Sequence, residues 1–264
     1  MSDKNQVVWI TGASSGIGKS LALAYANQGV KLILSSRNTA ALAAVKAECK
    51  NPSEVQILQL DLEDYENLQP KITAALSFFG KIDVLVNNGG VSQRSLAKDT
   101  SIAVDKKLMD INYLGTVALT KALLPHFIEN KNGHFVVTTS IVGKVATPMR
   151  STYSASKHAL HGFFDALRAE HYNDNISVTL ICPGFVATDV SKNALTGDGS
   201  KQNKMDESTA NGIHPDRFAT LMLKAIKNKK EEAYIGGAKE RFSVYVKRYY
   251  PKLVSRLIRK WKVT

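Results

Sequence analysis

A glycine-rich turn between an apolar strand and the start of a helix constrains this chain more than any other feature. Residues 7–11, VVWIT, read as a short buried strand, and Gly12, Gly16 and Gly18 follow within TGASSGIG. Glycines there permit a tight turn, let the backbone approach a pyrophosphate and let the helix pack close to the strand. The helix that begins at this turn offers unpaired N–H groups and the positive end of its dipole to a phosphate. Ser14, Ser15 and Ile17 complete the candidate cradle. The spacing G-x-x-x-G-x-G differs from the commoner G-x-G-x-x-G fingerprint.

The same alternation continues along the chain. Apolar runs at 31–36, 55–60, 83–88, 134–140, 177–183 and 232–236 read as further strands. Helical patterns fall at 17–28, 39–50, 65–79, 111–129, 153–172 and 215–227. The strands are rich in Val, Ile and Leu with little alternation, as expected when helices cover both faces of a parallel sheet. A doubly wound (Rossmann) α/β fold of seven mostly parallel strands is the expectation, in one domain spanning 1–238. Between 188 and 214 the sequence is polar and glycine-bearing, and it follows a strand's carboxyl end. A segment this long in a compact domain reads as a lid over a ligand.

Two further patterns carry chemistry. The second strand ends in Ser35, Ser36 and Arg37, with no acid. An acid at this position binds a ribose 2′-hydroxyl, whereas an arginine accommodates a 2′-phosphate, so NADP(H) is the expected cofactor. Within YSASK, Tyr153 and Lys157 stand four residues apart, on one face of a helix. A cation beside a phenol favours its anion, which suits tyrosine for proton transfer near neutral pH. Taken alone, the pair reads first as a solvated helix face, since matches this short arise by chance.

These elements stand in a series: TGASSGIG, Asp61-Leu62, NNGG at 87–90, Asn112, Ser140 in TTSIVG, YSASK at 153–157 and PGFVAT at 183–188. Their order and spacing resemble the short-chain dehydrogenase/reductase family over residues 6 to about 238, most closely the member 7B type near the 11β-hydroxysteroid dehydrogenases. The resemblance implies that Tyr153 is the general acid or base, that Lys157 lowers its pKa and binds the nicotinamide ribose, and that Ser140 orients the substrate oxygen. It gives Asn112 a water in a proton relay. Asp61 and Leu62 would meet the adenine. Asn88, with Gly89 and Gly90, would meet the adenosine ribose side, and Pro183, Gly184, Val186 and Thr188 the nicotinamide end. Val91, Ser92, Val142, Val145 and Phe185 would face a largely apolar substrate. The family usually has alanine where this chain has Gly89, and the missing methyl is expected to loosen that turn. A homodimer or homotetramer through the helices bearing Asn112 and Tyr153 is likewise implied. The function expected is an NADP(H)-dependent interconversion of a carbonyl and an alcohol; a catalytically idle NADP(H)-binding redox sensor or membrane-associated scaffold is the alternative.

Charge and composition narrow the partners. The net charge of +12 concentrates between 224 and 264, where thirteen Lys/Arg face three Asp/Glu. Without a basic surface or reading motif elsewhere, nucleic acid is not an expected partner. At helical spacing, Phe242, Val246, Tyr249, Tyr250, Leu253, Leu257 and Trp261 form an apolar stripe, opposite Arg248, Lys252, Arg259 and Lys262. Pro251 starts a second helix or kinks a single one. This tail, 239–264, reads as packing on its own core, on a partner subunit, or on a membrane surface through 242–262. Cys49 and Cys182 match no disulfide framework, and the six histidines show no metal-site spacing, so no metal is expected. With no signal peptide before residue 6 and no apolar run of membrane-spanning length, a cytoplasmic chain without the N-terminal anchor of many relatives is the expectation.

Overall fold

The computed structural model describes residues 5–259. Strands β1 (Val7–Thr11), β2 (Lys31–Ser36), β3 (Val55–Gln59), β4 (Val84–Asn87), β5 (Gly133–Thr138), β6 (Ile176–Pro183) and β7 (Glu232–Ile235) form one sheet. All neighbours pair in parallel, in the order β3-β2-β1-β4-β5-β6-β7. Between the strands run helices α1 (Gly16–Ala26), α2 (Thr39–Glu48), α3 (Gln69–Phe79), α4 (Ile102–Met109), α5 (Gly115–Glu129), α6 (Ser151–Glu170), α7 (Glu207–Ala210) and α8 (Pro215–Lys227), with α9 (Ala238–Tyr249) and α10 (Pro251–Ile258) after β7.

Successive residues of β1 feed opposite faces of the sheet. Val8 and Ile10 pack with Leu21, Leu42, Phe218 and Met222 from α1, α2 and α8. Val7 and Trp9 pack with Ile72, Leu119, Leu123 and Phe164 from α3, α5 and α6. Both faces are therefore apolar, and the strand sequences do not alternate. The order of strands reverses between β1 and β4, and such a switch point opens a crevice outside the strands' carboxyl ends.

Two elements differ from the sequence expectation. The helix expected from 111 begins at Ile102, where Ser101 accepts a hydrogen bond from the Val104 amide at 3.4 Å. It passes through a π-helical turn at Asp110–Leu114 into α5. α4 buries only Val104 and Leu108, so its periodicity is thin in the sequence. The helix expected from 65 begins at Gln69, after a 3₁₀ turn at Tyr65–Asn67.

The tail forms two helices that part at Tyr250, with Pro251 in the first turn of α10. A missing proline N–H costs nothing at that position. Val254 is buried, but Phe242 is 67% and Tyr249 74% exposed, and Tyr250, Leu253 and Leu257 are exposed too. The stripe does not face the core of its own chain. Trp261 and Lys262 lie outside the described residues. Among the described residues, no helix is long and apolar enough to cross a membrane.

Candidate active site

The carboxyl ends of the strands open into a cavity of about 670 Å³. At one end it is walled by Gly12, Ser14, Ser15, Gly16 and Ile17. Gly12 and Gly16 have φ of +63° and +52°, a region that disfavours side chains. A Cβ on Gly12 would fall 2.8 Å from the Gly89 Cα. Gly18 does not line the cavity; a Cβ there would lie 2.2 Å from the Gly12 carbonyl oxygen, so its bare backbone lets α1 seat on the turn. The first turn of α1 carries no acid, and Ser15 makes no side-chain cap. Its N–H groups and dipole end thus suit an anion.

Along the rim, Ser35, Ser36 and the exposed Arg37 face Asp61 and Leu62 in the same cavity wall. Asp61 accepts from the Glu63 amide at 3.1 Å, an Asx turn distant from the start of α3. Asn88 ties three strand ends together: its Nδ2 donates to the carbonyls of Thr11 (3.2 Å) and Gly12 (3.3 Å), and its Oδ1 accepts from Thr138 (3.2 Å). Gly89 and Gly90 line the wall beside it. The space a Gly89 methyl would fill holds the Leu62 Cδ1, 2.7 Å away, so the expected loosening of this turn is offset by packing.

Ser140, Tyr153 and Lys157 meet at the other end of the cavity. The start of α6 has no cap of its own; Gln93, fully buried, supplies one by accepting from the amides of Thr152 (2.9 Å) and Tyr153 (3.1 Å). Lys157 is buried and its Nζ donates to the Thr138 carbonyl at 2.8 Å. Burial lowers its pKa to about 8. Nζ lies 5.9 Å from the centre of the Tyr153 ring. Burial raises the Tyr153 pKa, while Arg150, a hydrogen bond with Ser140, and Arg94 pull it down. Two buried arginines that the sequence did not point to thus act on the phenol as well.

Asn112 is fully buried in the π-helical turn and does not line the cavity. Its Oδ1 accepts from the Val91 amide (2.8 Å), and its Nδ2 donates to the Val91 carbonyl (2.9 Å) and to Ser156 (3.2 Å). The side chain expected to hold a water is engaged in clamping the exit of β4.

Val91, Ser92, Val142, Val145 and Phe185 share the cavity with Pro183, Gly184, Val186 and Thr188. Beside them lies a charge cluster that the sequence did not reveal, two of its members, Arg94 and Arg150, lining the same cavity. Arg94 donates to Asp206 through Nε at 2.7 Å, and to Ser92 at 2.8 Å; both charged groups are buried. Arg150, also buried, lies 3.5 Å from the same carboxylate and 5.6 Å from the centre of the Phe185 ring. Asp206 belongs to the segment 188–214, which is further held by Leu195 bonded to Ser92 (2.9 Å) and Arg94 (2.8 Å). Residues 94, 150 and 206 match no motif, and only the fold brings them together.

Spacing along the chain also gave no sign of the neighbours of His161. The fold sets it beside Cys182 and Glu232, with ligand atoms within 4.8 Å of one another. Both cysteines are free and buried.

A family model described as short chain dehydrogenase matches residues 6–199. A Drosophila melanogaster protein named dehydrogenase/reductase SDR family protein 7-like is 41% identical over 253 residues, covering 94% of this chain and 78% of its own. Dehydrogenase/reductase SDR family member 7B of Mus musculus is 42% identical over 260 residues, covering 97% and 80%. The crystal structure of a short-chain dehydrogenase from Streptomyces avermitilis superposes with a TM-score of 0.80 at 26% identity, covering 95% of this chain and 98% of that one.

Proposed function

Because the chain belongs to the short-chain dehydrogenase family, we propose that it is an NADP(H)-dependent oxidoreductase that interconverts a carbonyl and an alcohol. The observation that carries this reading is the meeting of Tyr153, Lys157 and Ser140 in the cavity whose far end is the glycine cradle. The cradle fits a dinucleotide, since a Cβ at Gly12 would close it and the α1 amides suit phosphate. Arg37, exposed at the rim beside Ser35 and Ser36, favours the phosphorylated cofactor. Bound there, the nicotinamide supplies or accepts the hydride.

In the reducing direction the Tyr153 hydroxyl protonates the carbonyl oxygen, and in the reverse direction its oxyanion takes the alcohol proton. Ser140, already hydrogen-bonded to Tyr153, orients the substrate oxygen. Arg150, Arg94 and Lys157 make the cavity electropositive around the phenolate, and Lys157 also bonds the nicotinamide ribose. For Asn112 the geometry favours a positioning part: it bonds the Val91 amide and so fixes the adjoining Gly90, whose Cα faces Lys157 Nζ. Asp61, Leu62, Asn88, Gly89 and Gly90 flank the adenosine half, and Pro183, Gly184, Val186 and Thr188 the nicotinamide half. Ser92, Val142, Val145 and Phe185 meet the substrate beneath a lid formed by 188–214.

Beyond the unit 1–238, α9 starts at the cavity wall with Glu240 and Ser243, and the rest of the tail is read as a surface element. Its exposed aromatic residues are interleaved with six basic and one acidic residue between 238 and 258, which suits an anionic membrane surface. Like charge opposes pairing of two such tails. A homodimer or homotetramer forms instead through α5 and α6.

The test is oxidation of NADPH and of NADH across a panel of ketones, aldehydes and steroids, with the wild type and Arg37→Asp. Turnover with NADPH is expected. Arg37→Asp should raise the KM for NADPH at least about tenfold, the loss of one charge-assisted contact, and spare NADH. Tight NADPH binding without turnover on any compound would instead favour an idle sensor or scaffold.

A further inference from the structure

We propose that His161, Cys182 and Glu232 form a binding site for a zinc-class divalent cation, behind the catalytic face and separate from the cofactor cavity. His161 lies on α6 one turn beyond Lys157, which is itself one turn beyond Tyr153. Cys182 lies on β6 immediately before Pro183, and Glu232 opens β7. The three side chains converge between these elements, with His161 and Cys182 buried and Glu232 half-buried.

The donor set is imidazole, thiolate and carboxylate, the mixture that zinc prefers. Glu232 Oε1 lies 3.2 Å from His161 Nδ1 and 3.7 Å from Cys182 Sγ, and Sγ lies 4.0 Å from His161 Nε2. Tetrahedral zinc with ordinary bond lengths sets nitrogen–oxygen edges of about 3.3 Å and sulfur–oxygen edges of about 3.6 Å. An imidazole binds an ion through one nitrogen, and with the ligand atoms within 4.8 Å of one another, closing the cluster on an ion takes movements of up to about 1 Å. A second observation points the same way. His161 Nδ1 is buried, and Glu232 Oε1, 3.2 Å away, is poorly aligned with it. A buried nitrogen so weakly satisfied favours a better-placed partner.

The supporting groups also fit. Tyr234 donates to Glu232 Oε2 at 2.6 Å and so leaves Oε1 to face the cluster. Thr139 donates to Cys182 Sγ at 3.2 Å. These are the outer contacts that orient metal ligands. The charge at Oε1 is met by the Lys144 ammonium at 2.8 Å. Lys144 is 29% exposed, so its ammonium can swing to solvent and open a path for the ion. On binding, the cation takes the place of the Cys182 thiol proton, which leaves to water, and no redox change occurs.

Titration of the full-length protein with cobalt(II) chloride, followed by displacement with zinc chloride, tests the site. One cobalt per chain with a near-ultraviolet thiolate-to-cobalt band is expected, removed by Cys182→Ser and weakened at least about tenfold by His161→Gln, as for a lost ligand contact. Cys49→Ser should keep the band. Lys144→Met, at a partly exposed position, should tighten cobalt binding severalfold by removing the competing cation, with thermal unfolding as the check that the variant is folded. Absence of the band in the wild type, its survival in Cys182→Ser, its loss in Cys49→Ser, or unchanged affinity in Lys144→Met would each overturn the proposal.

Discussion

Gly89 and Gly90 are adjacent, yet a methyl group added to each would meet different neighbours. At Gly89 it would press on the Leu62 Cδ1, a mobile side-chain end that can turn aside. At Gly90 it would come within 2.9 Å of Asn112 Oδ1, which the Val91 amide holds in place. Gly89→Ala should therefore change stability by less than about 1 kcal/mol, and Gly90→Ala should destabilise by about 1–3 kcal/mol. Urea unfolding of both variants checks the ranking, and equal costs would contradict it. A second residue-scale prediction concerns His134, buried on β5 and paired with Thr179 at 2.8 Å. Burial, with Lys229, lowers its pKa from 6.5 to about 4. Between those values the unfolded chain binds more protons, so stability falls as pH falls, by up to about 1.4 kcal/mol per pH unit. His134→Gln should flatten unfolding free energy against pH in that window; an unchanged slope would contradict the assignment. Single residues were legible where a motif names them, as with Tyr153 and Lys157. Gln93, Arg94 and Arg150 were not, because a buried polar residue is indistinguishable in sequence from a solvated one.

At the scale of elements, one carboxylate anchors the segment 188–214 alongside its backbone bonds to Ser92 and Arg94. Asp206 neutralises Arg94 directly and Arg150 more distantly, all out of water. Removing one partner of a buried pair leaves an uncompensated charge, which costs about 3–5 kcal/mol. Asp206→Asn should lower the unfolding free energy by that order and speed amide exchange across 188–214 more than across β1 to β5. Exchange unchanged in that segment would show that the Leu195 bonds to Ser92 and Arg94 suffice to hold it. The seven strands were readable because each is an uninterrupted apolar run flanked by turns, and both faces of the sheet demand that pattern. α4 was not readable, since it buries only two side chains and takes its start from the Ser101 cap. The tail's break at Pro251 followed from the residue itself; the direction of its apolar stripe did not, because periodicity defines a face without saying what covers it.

Over the whole molecule, charge divides along the chain. The sheet and its helices are close to neutral, and the tail holds most of the excess positive charge. Binding to vesicles containing anionic lipid should therefore weaken with salt. It should be lost with Phe242→Ser and Tyr249→Ser together, and be absent with neutral lipid; equal binding to neutral vesicles would contradict the reading of the tail. The cavity lies at the crevice that the strand order dictates, and its two ends bring together residues from 12 to 188 that chain order alone could only place in series. The measurement that bears most directly on the catalytic assignment is NADPH affinity and turnover of Tyr153→Phe beside the wild type, on one reducible substrate. The expected result is an NADPH Kd within about threefold of wild type and a kcat lower by about 10²–10⁴, the contribution of a positioned proton donor. A kcat retained without the phenolic hydroxyl would contradict it.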